Sequence, residues 1–270
     1  MCHTAGVSKS GYYKYLNSIR QNKDYPDYLV IKGIFDKGRK KLGWRPIQMA
    51  LRSGFGLIMN HKKIRRIMDK YGLVCQVRRK NPYKQIMKKT QEHRTFENIL
   101  GRNFKQLLPK KVLCTDITYL YYGLGRRAYL SAIKDIASGE TLAWEVSTNL
   151  ELEFVLITVG KLEAMNLPDG ALIHSDQGFH YTSPLYIQKI KQLGLIQSMS
   201  RKGNCIDNAP MESFFGHLKD ELEFKSCLTF EELTIKVNEY MQYYNHNRYQ
   251  WGLKKMTPVQ YRNHLLEKTA

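Results

Sequence analysis

The chain has 270 residues, with 43 Lys+Arg against 24 Asp+Glu and a formal net charge of +19. Residues 1–111 hold 27 basic and 6 acidic side chains, a net of +21, whereas residues 112–270 hold 16 basic and 18 acidic, a net of −2. A polycationic first part argues against a protein that is only a small-molecule enzyme and points to nucleic acid or an anionic membrane surface, nucleic acid foremost, and 43% hydrophobic with 11% aromatic residues excludes a disordered chain.

In chain order, residues 1–22 read as a partial helical segment, with turn chemistry at Ser8-Lys9-Ser10-Gly11. Residues 23–80 read as a basic domain of short helices. Pro26 to Lys41 forms the first, Gly43-Trp44-Arg45-Pro46 breaks it, and Ile47 to Arg52 forms a second, ended by Gly54 and Gly56. Asn60 is a good N-cap. After it Ile64, Ile67, Met68 and Tyr71 make one apolar stripe, and Gly72 is a stop. The opposite face carries Lys62, Lys63, Arg65, Arg66 and Lys70. Three short helices with a basic last one suggest a helix-turn-helix-like unit, with Lys62, Arg65 and Arg66 as candidate DNA contacts. Residues 81–111 read as a basic linker that includes Lys88-Lys89, with Arg78-Arg79-Lys80 just before it.

At Lys111 the texture changes. Val112 to Leu120, Ala128 to Ile136 and Thr141 to Ser147 read as three antiparallel strands joined by glycine turns. Leu150 to Met165 is helical, Ala171 to Ser175 a short buried strand, Pro184 to Leu193 a helix, and Leu195 to Met199 a last strand. Asn208 to Phe224 and Glu231 to Asn247 are helices. The expectation is an α/β fold: a mixed five-stranded sheet flanked by helices over 112–226, with a helical extension over 227–270.

Three acids sit where this pattern makes an acid costly or purposeful. Asp116 lies inside the apolar strand Leu113-Cys114-Thr115-Asp116-Ile117-Thr118, where Asp is disfavoured. Asp176 follows the buried strand Ala171–Ser175, at the strand end where α/β sheets collect ligand groups. Glu212 lies in the first turns of the helix that opens near Asn208. Each alone also fits an ordinary role: a hydrogen-bonded strand Asp, a turn residue, a first-turn helix acid. If the two strands are adjacent and the helix crosses their ends, the carboxylates converge. They would then require a cation such as Mg²⁺ or Mn²⁺, with two ions suited to phosphoryl transfer. Arg201 and Lys202, before the Gly203-Asn204 turn, are placed to track a phosphate strand nearby. His174 and His180 read as packing or supporting neighbours, and Tyr181 and Trp251 as core.

With 35 residues between Asp176 and Glu212, the three acids resemble the D, D(35)E pattern. This pattern belongs to the retroviral-integrase-like transposases of bacterial insertion sequences, in particular the group whose downstream frame, often called OrfB, encodes the catalytic half. Thr115-Asp116-Ile117-Thr118-Tyr119, His174-Ser175-Asp176-Gln177-Gly178 and Ser200-Arg201-Lys202-Gly203-Asn204 through Phe215 are similar to its motifs. The tail with Tyr243-Tyr244-Asn245, Arg248 and Thr257-Pro258 and the Gly43-Trp44-Arg45 turn also resemble it, so the likeness covers nearly the whole chain. Leu42 and Leu113 depart from it, at positions that look like packing sites. The resemblance implies an RNase H-like core that nicks 3′ strands and joins them to target DNA. Asp116 would bridge two ions, and Asp176 and Glu212 would each complete one site. Lys219, seven residues after Glu212 and on the same helical face, would help hold the transposon end. Implied partners are the element's terminal inverted repeats, target DNA, further copies of the chain, and an upstream-frame helix-turn-helix protein or a fusion with it.

No apolar run approaches the ~20 residues of a membrane span, Met1–Ser10 lacks a signal peptide's apolar core, and the five cysteines form no C-x-x-C pair. The expectation is a cytoplasmic, nucleoid-associated protein without a membrane partner. Two other readings use parts of the same pattern: an inactive DNA-binding regulator, which needs only the basic half, and a structure-selective nuclease, which needs the acids without strand transfer.

Overall fold

The computed structural model describes residues 6–20, 23–75 and 95–268. The chain divides into two compact units, Met1–Gln76 and Val77–Ala270. The basic stretch from Arg78-Arg79-Lys80 through Lys88-Lys89 lies outside the described residues.

The first unit is all helical. Ser8-Lys9-Ser10-Gly11 opens a helix rather than a free turn: α1 spans Lys9–Arg20, and Ser8 Oγ accepts the Gly11 N–H at 3.0 Å. Helices α2 (Tyr25–Lys37), α3 (Trp44–Phe55) and α4 (His61–Lys70) enclose a core of Ile31, Ile34, Phe35, Ile47, Leu51, Ile64, Ile67 and Met68. The expected break at Gly43-Trp44-Arg45-Pro46 is instead the start of α3. Pro46 falls within the first turn, where a missing N–H breaks no helical bond. Gly54 is accommodated inside the helix, and Gly56 ends it in the left-handed region at φ 65°. Asn60 caps α4 as expected, its side chain accepting the Lys62 N–H at 2.8 Å.

The second unit carries the sheet. Strands β1 (Val112–Tyr122), β2 (Arg126–Asp135) and β3 (Thr141–Ser147) form the antiparallel meander. A crossover through α5 (Leu152–Gly160) and a 3-10 turn at Lys161–Ala164 leads to β4 (Leu172–Ser175), which pairs parallel with β1. Helices α6 (Phe179–Thr182) and α7 (Pro184–Gln192) precede β5 (Ile196–Met199), parallel to β4. The order β3-β2-β1-β4-β5 is the expected mixed five-stranded sheet.

Side-chain alternation along β1 assigns the two faces. Cys114 and Leu120 join Met211, Phe214 and Leu218 of α8 (Ala209–Glu221) and Leu233, Val237 and Met241 of α9 (Phe230–His246). Leu113, with Ile133 and Ile173, packs against Phe154, Val155 and Val159 of α5 and Tyr186 and Ile190 of α7. Helix α9 and the last helix, α10 (Pro258–Glu267), both start in capping boxes, Thr229 with Glu232 and Thr257 with Gln260. Residues 95–104 run along the β5 side: Met199 donates its N–H to Glu97 O at 3.2 Å, and Ile99 N–H reaches Ser198 Oγ at 3.0 Å. Trp251, expected in the core, is 52% exposed under the Lys255 ammonium, because the chain there is a 3-10 turn outside both cores. Among the described residues no helix is long and apolar enough to cross a membrane.

Candidate active site

The parallel pairing of β1 and β4 builds the site. Their last paired residues are Cys114 and His174. Two residues further along each chain come Asp116, within β1, and Asp176, one residue past the end of β4, where the pairing has stopped. Asp116 is half-buried opposite Ala132 of β2, and its Oδ1 accepts the Ile117 N–H at 2.8 Å. Asp176 Oδ1 accepts the Gly178 N–H at 2.8 Å in a tight turn. A Cβ at position 178 would lie 2.8 Å from that same oxygen, so a larger residue there would push the Asp176 carboxylate off this N–H. Tyr181 is fully buried; burial, then the Asp116 and Asp176 charges, push its phenol well above its ordinary pKa.

Glu212 is in the first turn of α8, exposed. The helix is seated by Met211, Phe214, Phe215 and Leu218, and its N-cap residue Asn208 donates Nδ2–H to Thr115 O at 3.3 Å, one residue before Asp116. Full convergence of the three acids is not realised: among the described residues no three His, Cys, Asp or Glu side chains are gathered closely enough to hold one ion. The physical reason is local. Each aspartate turns an oxygen onto a nearby backbone N–H, and Glu212 stands on the exposed side of its turn. The donor set still fits a hard divalent cation, since all three groups offer carboxylate oxygens.

The segment entering α8 is held by Asp207, which the sequence pattern does not single out. Its side chain is fully buried. Oδ1 accepts Arg102 Nε at 2.6 Å and Arg201 Nη2 at 2.9 Å. Oδ2 accepts Arg201 Nε at 2.9 Å, Arg201 N–H at 3.0 Å and Asn98 Nδ2 at 2.9 Å. Arg201 first, then Arg102, hold this carboxyl far below the usual carboxylate range against the opposing effect of burial. Arg201, a candidate phosphate contact by sequence, therefore has its guanidinium engaged by Asp207, whereas Lys202 is exposed beside Gly203. Lys219 places its ammonium 4.5 Å above the Tyr119 ring on β1.

In the first unit Lys62 and Arg65 are exposed on α4. Arg66 instead forms a two-pronged pair with Asp24, at 2.8 and 2.7 Å, joined by Lys70 at 2.9 Å, while Lys63 pairs with Asp27. These contacts tie α4 to the start of α2. His174 is buried between Ser198 Oγ (2.9 Å) and Ser200 Oγ (3.2 Å), and burial lowers its pKa. His180 stacks edge-on with Phe154 and Phe179. Both have the packing role expected for them.

Comparison with known proteins agrees with this arrangement. Profiles described as integrase core domain match residues 107–205 and 212–266, and one described as HTH-like domain matches residues 24–81. The chain is 32% identical over 268 residues to the putative transposase InsK of insertion sequence element IS150 of Escherichia coli strain K12, covering 97% of this chain and 92% of that protein. It is 38% identical over 219 residues to a transposase-like protein of Haemophilus influenzae, covering 77% and 95%. Among solved structures, a chain of the simian T-cell lymphotropic virus intasome, in complex with PP2A regulatory subunit B56 gamma, superposes with a TM-score of 0.50. The identity is 15%, over 80% of this chain and 74% of that one, a likeness of fold.

Proposed function

Because this chain belongs to the insertion-sequence transposases with an integrase core domain, and so is a DNA transposase, we propose that Asp116, Asp176 and Glu212 are its catalytic carboxylates. The reaction is divalent-metal-dependent 3′ strand cleavage followed by strand transfer. The observation that supports this reading is the parallel β1–β4 pairing, whose register, continued two residues past Cys114 and His174, would bring Asp116 towards Asp176.

Asp116, Asp176 and Glu212 would hold Mg²⁺ or Mn²⁺, two ions in the full site. When bound, the metal makes water or a 3′-hydroxyl a stronger nucleophile and stabilises the departing oxygen. The protein's own contribution is position. Strand β1 fixes Asp116, the Gly178 turn fixes Asp176, and the Asn208–Thr115 hydrogen bond sets the start of α8 against β1. In the first step a water oxygen bonds to phosphorus and the bond to the 3′ oxygen breaks. In the second the freed 3′-hydroxyl takes the water's place on a target phosphate. No covalent bond to a Ser, Tyr or Cys is needed. Lys219 and Lys202 would contact phosphates near the acids, and Lys62 and Arg65 would contribute salt-dependent grip from the first unit. Arg66 and Arg201 act mainly through their carboxylate partners. Two DNA ends imply a multimer, and an upstream-frame partner would add end recognition.

The test incubates purified protein with element-end duplex and Mg²⁺. Nicking followed by a joined product supports the reading. Nicking without joining indicates a nuclease, and binding without nicking a regulator. Full activity of Asp116→Asn refutes the assignment of the acids.

A further inference from the structure

The sheet face covered by α5 and α7 is not covered to its end. On β1 the residues alternating with buried Leu113 are Thr115, Ile117, Tyr119 and Tyr121. Ile117 and its near neighbour Tyr129 of β2 still pack against the α5/α7 core. Beyond them Tyr119 is 38% and Tyr121 43% exposed. The register sets Tyr119 opposite Tyr129 and Tyr121 opposite Arg127. The two exposed rings meet edge-to-face at 5.4 Å. The Arg127 guanidinium lies 5.4 Å from the Tyr121 ring and 5.9 Å from the Tyr119 ring, and Lys219 caps Tyr119 from α8. At a rise of ~3.3 Å per residue, these rings stand about 10 and 17 Å along the strand from Asp116 and on the other sheet face by alternation, so a DNA strand reaching both would pass the β1 edge where the pairing with β4 has ended, beyond Cys114.

We propose that Tyr119, Tyr121 and Arg127 form a stacking platform for unpaired DNA bases, a few nucleotides from the phosphate cut at Asp116. The inference deepens the transposase reading and rests on it. Flat rings and a guanidinium plane offer π surfaces, which recognise bases only when the bases are out of the duplex stack. Apolar contact alone would suit a protein partner equally well. Here the rings are interleaved with two cations, Arg127 and Lys219, which favours a polyanion with exposed bases. The platform would hold a frayed strand end while its phosphate sits at the acids.

The experiment measures binding of the full chain to a fluorescent oligothymidylate and to a random-sequence duplex of equal length. Tyr121→Ala and Arg127→Ala should each weaken oligothymidylate binding about tenfold. Tyr121→Phe should keep it, and duplex binding should change less than about twofold for all three. Both residues are exposed, and unchanged thermal melting confirms folding. Equal oligothymidylate affinity for wild type and Tyr121→Ala overturns the proposal. So does a Tyr121→Ala protein that becomes monomeric in sedimentation while keeping its single-strand affinity, which makes the face a contact between copies. Asp116→Asn separates this inference from its premise. It should bind oligothymidylate like wild type and not nick, so a failure of nicking assays bears on the acids and a failure of stacking bears on the platform.

Discussion

Replacing Asp207 by asparagine keeps its size and removes its charge, and the structure allows the cost to be worked out. Five donors converge on the two oxygens of a fully buried carboxylate, three of them from guanidinium groups. In the Asp207→Asn protein one oxygen becomes an NH₂ facing donors, so at least two charge-assisted bonds are lost, each worth about 1.5–3 kcal/mol. Breaking a wholly buried pair costs about 3–5 kcal/mol. Here the partners are accessible, Arg102 at 39% and Arg201 at 59% exposed, and water re-solvates them when the bond breaks. The discounted expectation is about 2–3 kcal/mol. With a urea slope of about 2 kcal/mol per molar, the unfolding midpoint of the catalytic unit should fall by about 1–1.5 M at pH 7. The sign of the pH dependence follows from the depressed folded-state pKa. The unfolded carboxylate titrates near 3.9, so the stabilisation is complete above about pH 5 and declines as pH falls through 4 and below. Wild-type and Asp207→Asn curves should therefore converge in acid. A midpoint shift under about 0.3 M at pH 7, or a gap that widens in acid, refutes the account.

Asp116→Asn and Asp176→Asn should each reduce strand nicking at least ~100-fold while leaving the circular dichroism spectrum and melting unchanged, read by gel assay and calorimetry. Removing Mg²⁺ with a chelator should abolish nicking in wild type and leave end binding in place. Lys62→Ala and Arg65→Ala should each reduce the log-log salt slope of duplex binding by about 0.9, measured by fluorescence anisotropy. Thr229→Ala, which removes the capping box of α9, should lower stability by about 1 kcal/mol, read by urea unfolding. Cys114 is buried, and burial pushes its thiol far up. It should react with a thiol reagent, followed by mass spectrometry, only once the chain unfolds.

The legible parts of the sequence are those decided locally. The meander, the Thr141–Ser147 strand to its last residue, and the Asn60 cap follow from alternation and end chemistry. The break between the first two helices is present but falls at residues 38–43, and Trp44-Arg45-Pro46 open α3 because proline suits a helix's first turn. Residues at the start of α1 read as turn chemistry, although Ser8 is also what opens a helix. The acids stand out because each violates a strand or turn preference, and their spacing resembles a known pattern. The roles of the cations are hidden. Arg66 finds Asp24 42 positions away and Arg102 finds Asp207 105 positions away, and no periodicity reports such pairings. Asp207 itself reads as an ordinary acid before a helix.

The parallel pairing of β1 and β4 also bears on when the site exists. The meander closes through short turns, so its contacts are local and rapid to form. Cys114 meets His174, 60 positions further along, and Asn208 meets Thr115 across a separation of 93. Loop closure over such separations is slow relative to hairpin formation. Loop-closure entropy therefore favours the meander, which carries Asp116 alone, over the longer-range pairing. The site is complete only when β4 and α8 have both joined β1, so its assembly depends on the contacts of greatest sequence separation.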